Sequence, residues 1–256
     1  MTERFGGLFV YDSLALIIAA LRSTITLIVV FIYLVVVGVP GILLALLTGA
    51  KKHLYIGGHI GVRLGLAMSG IRYRVIGEEH LVTGRAAVYC ANHQSNIDPP
   101  VLFTALHGQM HILYKAELNS VPVLGRVFQL GGFIPVDRRN REAAARSIEA
   151  GAASLRAGNP FLIFPEGTRS KTDELLPFKK GGFVMALKAG APIVPVAVSG
   201  GRSAMRKGSW FIRPALVTVR IGRPIETAGM GIESRDRLIV EVRSAIQDLL
   251  GVENDG

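Results

Sequence analysis

The chain has 256 residues, half of them apolar and only 19% charged, with a mean hydropathy of +0.40, so the low hydrophobicity and high charge that disorder requires are both missing. Its single cysteine, Cys90, has no disulfide partner, which excludes a disulfide scaffold and any need for an oxidising compartment. Against 19 acidic residues stand 29 basic ones, a net charge of +10, and that balance favours a polyanionic partner: nucleic acid, anionic lipid or a phosphorylated substrate.

The first predicted element is a membrane anchor. Between residues 14 and 47 only Arg22 is charged, and residues 23–50 carry no charge. At about 1.5 Å per residue, a helix over that run is longer than the roughly 30 Å hydrocarbon core. A signal peptide has a shorter apolar region and ends in small residues before a cleavage site; this run ends in Lys51-Lys52 and predicts a retained anchor. Gly38-Val39-Pro40-Gly41 interrupts it, because proline removes a helical donor and glycine lowers helix propensity. Two arrangements follow, a single kinked span or a re-entrant pair of helices. Lys51, Lys52, Arg63, Arg72 and Arg74 follow the run, whereas Arg4 and Arg22 lie on its other side, so the positive-inside rule places the bulk of the chain in the cytoplasm. Residues 53–69 are apolar and predict an interfacial segment, with Lys51, Lys52 and Arg63 facing anionic headgroups. Lipid therefore accounts for the net charge better than nucleic acid does. Residues 1–70 are expected to form the anchor and interfacial segment, and residues 71–256 one α/β domain.

From Ile71 onward, short strand-like runs alternate with helix-like runs, the signature of an α/β domain. Ile71, Tyr73 and Val75 alternate with Arg72 and Arg74 as in a half-buried strand. Residues 86–90 form an apolar run before a polar loop and predict a buried strand, after which a helix starts at Pro99. Further strands are predicted at 111–115, 133–137, 161–164, 193–198 and 216–221, with helices at 141–155 and 183–188. The last helix, 234–250, carries Leu238, Ile239, Val242, Ile246 and Leu249 on one face. The chain has no repeats, linkers or low-complexity tracts.

Four clusters fall at predicted strand ends, where ligands gather in open α/β sheets. In Asn92-His93-Gln94-Ser95-Asn96-Ile97-Asp98-Pro99, His93 follows a strand and Asp98 opens a helix, so carboxylate and imidazole can meet. An aspartate on one ring nitrogen fixes the tautomer and leaves the other nitrogen as general base. Asp98 before Pro99 also reads as a helix N-cap. In Phe164-Pro165-Glu166-Gly167-Thr168-Arg169-Ser170, Gly167 allows close backbone approach, Thr168 offers a hydroxyl and Arg169 grips phosphate bidentately. Glu166 is expected to orient an arginine or hold a substrate hydroxyl; taken alone, the cluster equally fits a turn with a surface salt bridge. Gly132-Phe133-Ile134-Pro135-Val136-Asp137-Arg138-Arg139 ends a strand in two arginines that either join Arg169 at a phosphate or form a solvated basic face. Ala191-Pro192-Ile193-Val194-Pro195-Val196-Ala197-Val198 frames an apolar strand with two prolines, which fits an edge or a bulge.

Together these residues resemble the glycerolipid acyltransferases, and within them the 1-acyl-sn-glycerol-3-phosphate acyltransferases. His93 and Asp98 match the family's His-x4-Asp motif, in the Asn-His-Gln-Ser form of the lysophosphatidate branch. Residues 164–170 match its Glu-Gly-Thr-Arg motif, and 132–138 look like its Gly-x-x-x-x-Asp-Arg element, with Pro135 where many members carry a bulkier residue. Residues 191–196 resemble its fourth block, and the whole likeness runs over about residues 72–222.

The resemblance implies a mixed central sheet flanked by helices and attachment to the cytoplasmic membrane face. It implies acyl transfer from acyl-CoA or acyl-carrier protein to the sn-2 hydroxyl of lysophosphatidate, making phosphatidic acid, with no metal or cofactor. By the same analogy His93 is the base and Asp98 its orienting partner. Arg138, Gly167, Thr168 and Arg169 hold the acceptor phosphate, Glu166 orients that cluster, and Lys115 with nearby N–H groups meets the oxyanion. A lyso-amino-lipid, another lysophospholipid or glycerol 3-phosphate stands as alternative acceptor, and a non-catalytic lipid-binding protein as the alternative of another class. The chain has no Gly-x-Ser-x-Gly elbow, P-loop or dinucleotide fingerprint, and His53 and His59 lack zinc-ligand spacing.

Overall fold

The computed structural model describes residues 3–252 apart from His107 and Arg138, with side chains described from Leu16 onward. The chain opens with helix α1 (Glu3–Thr48) and helix α2 (Lys52–Met68), joined by a turn at residues 49–51 in which Gly49 takes the left-handed conformation (φ +69°). Of the two expected arrangements, a single helix through Pro40 is the one observed, and the chain reverses nine residues later. Proline removes one helical hydrogen bond, and α2 packs on both sides of it: Val37 meets Gly57, and Gly41 meets Leu54. Further along the antiparallel pair, Tyr33 sits over Gly61 and Val30 over Gly65. Glycines four residues apart put a backbone groove on one face of α2, which lets α1 approach closely. The Tyr33 hydroxyl closes the contact by donating to the Gly57 carbonyl at 2.8 Å. Leu16–Thr48 is long and apolar enough to cross a membrane by length and composition. Its outward residues, among them Leu21, Ile28, Phe31, Val36 and Leu47, are exposed, a surface suited to lipid and not to water; this helix is a membrane-associating element.

The remaining elements are β1 (Ile71–Ile76), β2 (Val88–Ala91), α3 (Asp98–Ala105), β3 (His111–Lys115), α4 (Leu124–Gly131), β4 (Ile134–Val136), α5 (Arg141–Arg156), β5 (Phe161–Ile163), α6 (Gly181–Ala189), β6 (Ile193–Ser199), α7 (Gly201–Ala204), β7 (Ala215–Ile221) and α8 (Arg235–Gly251). The expected strands and helices are all present within a few residues, and α2, α4 and α7 are additional. Seven strands form one mixed sheet in the order β1-β7-β6-β2-β5-β3-β4. The five from β6 to β4 are parallel; β7 is antiparallel to β6, and β1 parallel to β7.

The sheet separates two cores, and the period-2 alternation of a strand decides which side chain joins which. From β2 and β5, Tyr89, Ala91 and Leu162 pack with Val101 and Leu102 of α3 and Leu66 of α2. Val88, Cys90, Phe161 and Ile163 face the other way, against Leu155 of α5, Phe183 of α6, and Leu238, Val242 and Ile246 of α8. Strands covered on both faces read as continuous apolar runs. Pro195 sits in interior strand β6, neither at an edge nor in a bulge. It is tolerated because β7 pairing stops at Val196↔Ile221, and the Pro195 carbonyl accepts from Gly222 N at 2.8 Å. In a strand the N of a residue points the same way as its C=O, so the missing donor faces Gly222 just past the end of β7, where one bond of the pair is forgone and the parallel ladder to β2 is untouched.

His111, at the start of β3, is buried between Phe161 and Phe133, with Nδ1 3.2 Å from Ser154 Oγ. Burial, reinforced by Lys51, holds its pKa down from 6.5 to about 4. The folded state therefore resists a proton that the unfolded chain accepts. The resulting stability is present above pH 6.5 and is lost as pH falls from there to about 4. His111→Gln should flatten the dependence of Tm on pH across that interval, as read by thermal unfolding; an unaltered slope would assign the acid sensitivity to another group.

Candidate active site

Strands β2 and β5 are parallel neighbours with Cys90 opposite Ile163, so the residues three positions beyond, His93 and Glu166, emerge side by side. The crossover after β2 leads to β3 on one side, and that after β5 leads to β6 on the other. This is the switch point at which open α/β sheets leave a crevice beyond their strand ends.

Asp98 organises the loop after β2. It is the first residue of α3 and its side chain is 1% exposed. Oδ2 accepts from Gln94 N and Ser95 N, both at 2.7 Å, and lies 3.0 Å from His93 Nδ1. The N-cap role expected of Asp98 is not taken: the carboxylate turns back into the loop. Pro99 and Pro100 explain this, since they occupy the first helical turn and carry no N–H to be capped. The His93 ring is 16% exposed and stacks on Phe164, with centroids 4.2 Å apart. No hydrogen bond engages Nε2 among the described residues. An imidazole whose Nδ1 proton goes to a buried carboxylate presents Nε2 as acceptor, the arrangement a general base requires.

The second cluster grips the backbone of the first. Glu166 Oε1 accepts from His93 N at 2.7 Å, and Ser170 N donates to the His93 carbonyl at 2.8 Å. Glu166 Oε2 accepts from Leu176 N at 2.9 Å. Glu166 was expected to orient an arginine or a substrate hydroxyl; its two oxygens are instead spent on backbone N–H groups. Burial pushes its pKa up, opposed by those two bonds and by His93 and Arg243 nearby. Arg243 of α8 donates to the Leu176 and Leu175 carbonyls at 2.6 and 2.7 Å and lies 5.3 Å over the Phe178 ring. Asn92 ties β2 to β6 by a reciprocal pair, accepting from Val198 N at 2.7 Å and donating to its carbonyl at 3.0 Å.

Gly167 adopts a left-handed conformation (φ +67°) that turns the chain between Glu166 and Thr168. Thr168 is exposed, and Arg169 Nη1 is buried with no hydrogen-bond partner among the described residues. Lys207 reaches the same place from another loop, its Nζ donating to Thr168 Oγ1 at 3.1 Å and to the Arg169 carbonyl at 2.8 Å. Lys207 thereby joins the Thr168–Arg169 turn in one basic cluster. Arg138 lies outside the described residues. Lys115 ends β3, two strands from β2, and its exposed Nζ pairs with Glu117 at 3.0 Å.

An apolar cavity of about 480 Å³ begins at Ile97, Pro99 and Pro100, just past the His93 loop, and continues past Phe103 between α1 and α2. Cys90 points into the opposite core; burial and the Glu166 carboxylate push its pKa up, so it is no thiolate nucleophile. Among the described residues, no group of three or more His, Cys, Asp or Glu side chains is placed to hold a metal ion.

Of the residues the sequence had pointed to, His93, Asp98 and 166–169 lie together at the ends of β2 and β5; Lys115 does not join them, and Arg138 lies outside the described residues. The roles of Ser170, Asn92, Arg243 and Lys207 at this site were not expected. Ser170 and Asn92 lie within the recognised clusters, whereas nothing local ties Arg243 and Lys207 to them.

The family model described as "Acyltransferase" matches residues 72–199. A 1-acyl-sn-glycerol-3-phosphate acyltransferase of Limnanthes douglasii is 38% identical over 181 residues, covering 70% of this chain and 63% of that protein; the chain thus matches less than two thirds of this plant relative's length. A protein of the same name from Salmonella typhimurium is 30% identical over 223 residues, covering 86% of this chain and 90% of the relative. The crystal structure of the 1-acyl-sn-glycerophosphate (LPA) acyltransferase PlsC from Thermotoga maritima superposes with a TM-score of 0.80 at 23% identity, covering 93% of this chain and 99% of the other; that likeness concerns the fold.

The grip of Glu166 on His93 has a measurable consequence. Glu166→Gln sets an amide NH2 against one of two backbone N–H donors, so it releases either His93 or Leu176. A displacement of about 1 Å at a reacting group is worth roughly 10²-fold in rate, so kcat should fall on that order while KM changes little. A KM effect with kcat preserved would place Glu166 on the substrate instead.

Proposed function

Because the chain belongs to the acyltransferase family, we propose that it transfers an acyl chain from acyl-CoA or acyl-carrier protein to the sn-2 hydroxyl of 1-acyl-sn-glycerol 3-phosphate, forming phosphatidic acid in phospholipid biosynthesis. The observation that carries this reading is the His93–Asp98 pair at the end of β2, with the loop that carries Arg169 bonded to it through Ser170 and an apolar cavity beginning at Ile97 and Pro99, just past His93. A phosphate beside Arg169, Thr168 and Gly167 and an acyl chain in the cavity would bracket a reacting hydroxyl and thioester near Nε2. The names of the plant and bacterial relatives support the same reaction.

An alcohol is a weak nucleophile at neutral pH, so its proton must leave as it attacks. His93 Nε2 takes the sn-2 hydroxyl proton while the oxygen adds to the thioester carbonyl. Asp98 holds the resulting imidazolium, and Glu166 and Ser170 keep the ring in place through the backbone. Collapse of the tetrahedral intermediate breaks the C–S bond; the departing thiolate takes the proton back from His93, leaving ester and thiol. Cys90 takes no part, so no acyl-enzyme forms on it. Residues 1–70 serve as the membrane-attaching unit and 71–256 as the transferase domain. Lys51, Lys52, Arg63, Arg72 and Arg74 after α1 favour the cytoplasmic face.

The deciding experiment is acyl transfer by the full chain in detergent, with oleoyl-CoA as donor. Lysophosphatidate, lysophosphatidylcholine, glycerol 3-phosphate and a lyso-amino-lipid are compared as acceptors. Turnover confined to lysophosphatidate and abolished by His93→Ala, with Tm preserved, is the expected result; near-normal turnover in the variant would remove His93 as base. The cavity gives a second test. Phe103 lies 3.5 Å from where a Gly58 side chain would begin, so Gly58→Leu fills the cavity and should shift donor preference toward shorter acyl-CoA. Unaltered chain-length preference would place the acyl chain elsewhere.

A further inference from the structure

Residues 205–214 connect α7 to β7 as an ordered loop. Arg213 N donates to the Ala204 carbonyl at 2.8 Å and closes its base, and Phe211 N donates to Ser209 Oγ at 3.1 Å within it. The tip is nonetheless apolar: Trp210 is 76% and Phe211 42% exposed. Trp210 is the chain's one tryptophan and its most exposed large hydrophobic among the described residues beyond α2. Arg206 and Arg213, both exposed, flank the tip together with Lys207. An amphipathic aromatic ring amid cations suits the boundary between headgroups and acyl chains.

Two contacts set where this tip points. Ile212 N donates to the buried Ser23 Oγ of α1 at 2.7 Å, and Ser23 in turn donates to the Ala19 carbonyl. The loop is thereby fixed to the anchor helix beside Arg22, the single charge between Leu16 and Thr48, and beside exposed Ile18, Leu21 and Ile25. On its other side Lys207 holds Thr168 and Arg169. One loop therefore joins the apolar surface of α1 to the phosphate-binding cluster.

We propose that residues 205–214 form a second membrane contact, seated in the interface of an anionic leaflet by Trp210 and Phe211, which holds the Thr168–Arg169 cluster at headgroup depth. Continuity with the apolar face of α1 and the basic flank select a bilayer as occupant over an apolar protein surface. The membrane contact stands on geometry alone; its service to the acceptor site rests on the acyltransferase reading.

Trp210 is its own probe. The full chain is reconstituted into vesicles of phosphatidylcholine and phosphatidylglycerol, with and without phosphatidylcholine brominated near the top of its acyl chains. The proposal expects quenching by the brominated lipid and shielding from acrylamide, whatever the enzyme's substrate. Free acrylamide quenching without bromine quenching overturns it, and shielding that appears only on adding acyl-carrier protein reassigns the patch to the donor and equally overturns it. The Trp210→Ser/Phe211→Ser variant should raise KM severalfold for lysophosphatidate presented in vesicles, with turnover on detergent-dispersed lysophosphatidate unchanged. Equal losses in both assays, or none in either, would sever the loop from acceptor delivery even where the fluorescence places it in lipid.

Discussion

One carboxylate oxygen, Asp98 Oδ2, orders the loop that carries His93. It gathers three donors, two from the backbone and one from His93, while Oδ1 of the same carboxylate is buried with no hydrogen-bond partner among the described residues, so the cost of taking this group out of water falls on the bonds to Oδ2. Everything around it has the shape this requires. Pro99 and Pro100 leave the start of α3 with no N–H competing for the side chain. Gly201, at the start of α7, supplies a neighbour without a Cβ, because any side chain there would run into Oδ1. Glu166 and Ser170 then fix His93 from behind through its own N–H and carbonyl. The imidazole is held by its ring on one side and its peptide groups on the other, which fixes its orientation without a large wall of side chains.

The N-terminal helix pair and the apolar cavity are the same construction seen from two sides. Glycines on α2 let α1 lie close at Gly57, Gly61 and Gly65, and the space left between the pair and α3 is the cavity. The outward face of α1 is lipid-compatible, and its inward face supplies Val30, Tyr33, Leu34 and Val37 to the cavity. One helix thus lines the apolar cavity on one face and presents a lipid-compatible surface on the other.

All seven strands, α3, α5, α6, α8 and the His93–Asp98 pairing were legible in the sequence, because buried parallel strands leave apolar runs and a polar loop after such a run is conspicuous. Other features were not. Pro40 and its glycines look like a break until the partner helix that packs on both sides of them is known. Asp98 before a proline has the pattern of a cap, and only the second proline removes the donors a cap would serve. Glu166 was read as a partner for a charge or a hydroxyl, whereas it partners peptide groups, which carry no side-chain signature. Arg243 acts on Leu175 and Leu176, 67 residues from the nearer, and Lys207 on Arg169 across 38; contacts of that separation are set by topology and leave no local trace.

The pairing of β1 with β7 also fixes an order of events during synthesis. Ile71 is opposite Ala215, so β1 leaves the ribosome 144 residues before its partner begins. At about 5–20 residues per second that is a wait of roughly 7–30 s. Throughout it the strand is an unpaired edge, tethered a few residues behind an apolar helix that is already seeking the bilayer. An open edge of this kind invites pairing with another chain, and β1 carries Arg72 and Arg74 in alternation, charges that keep a waiting edge soluble until its partner arrives.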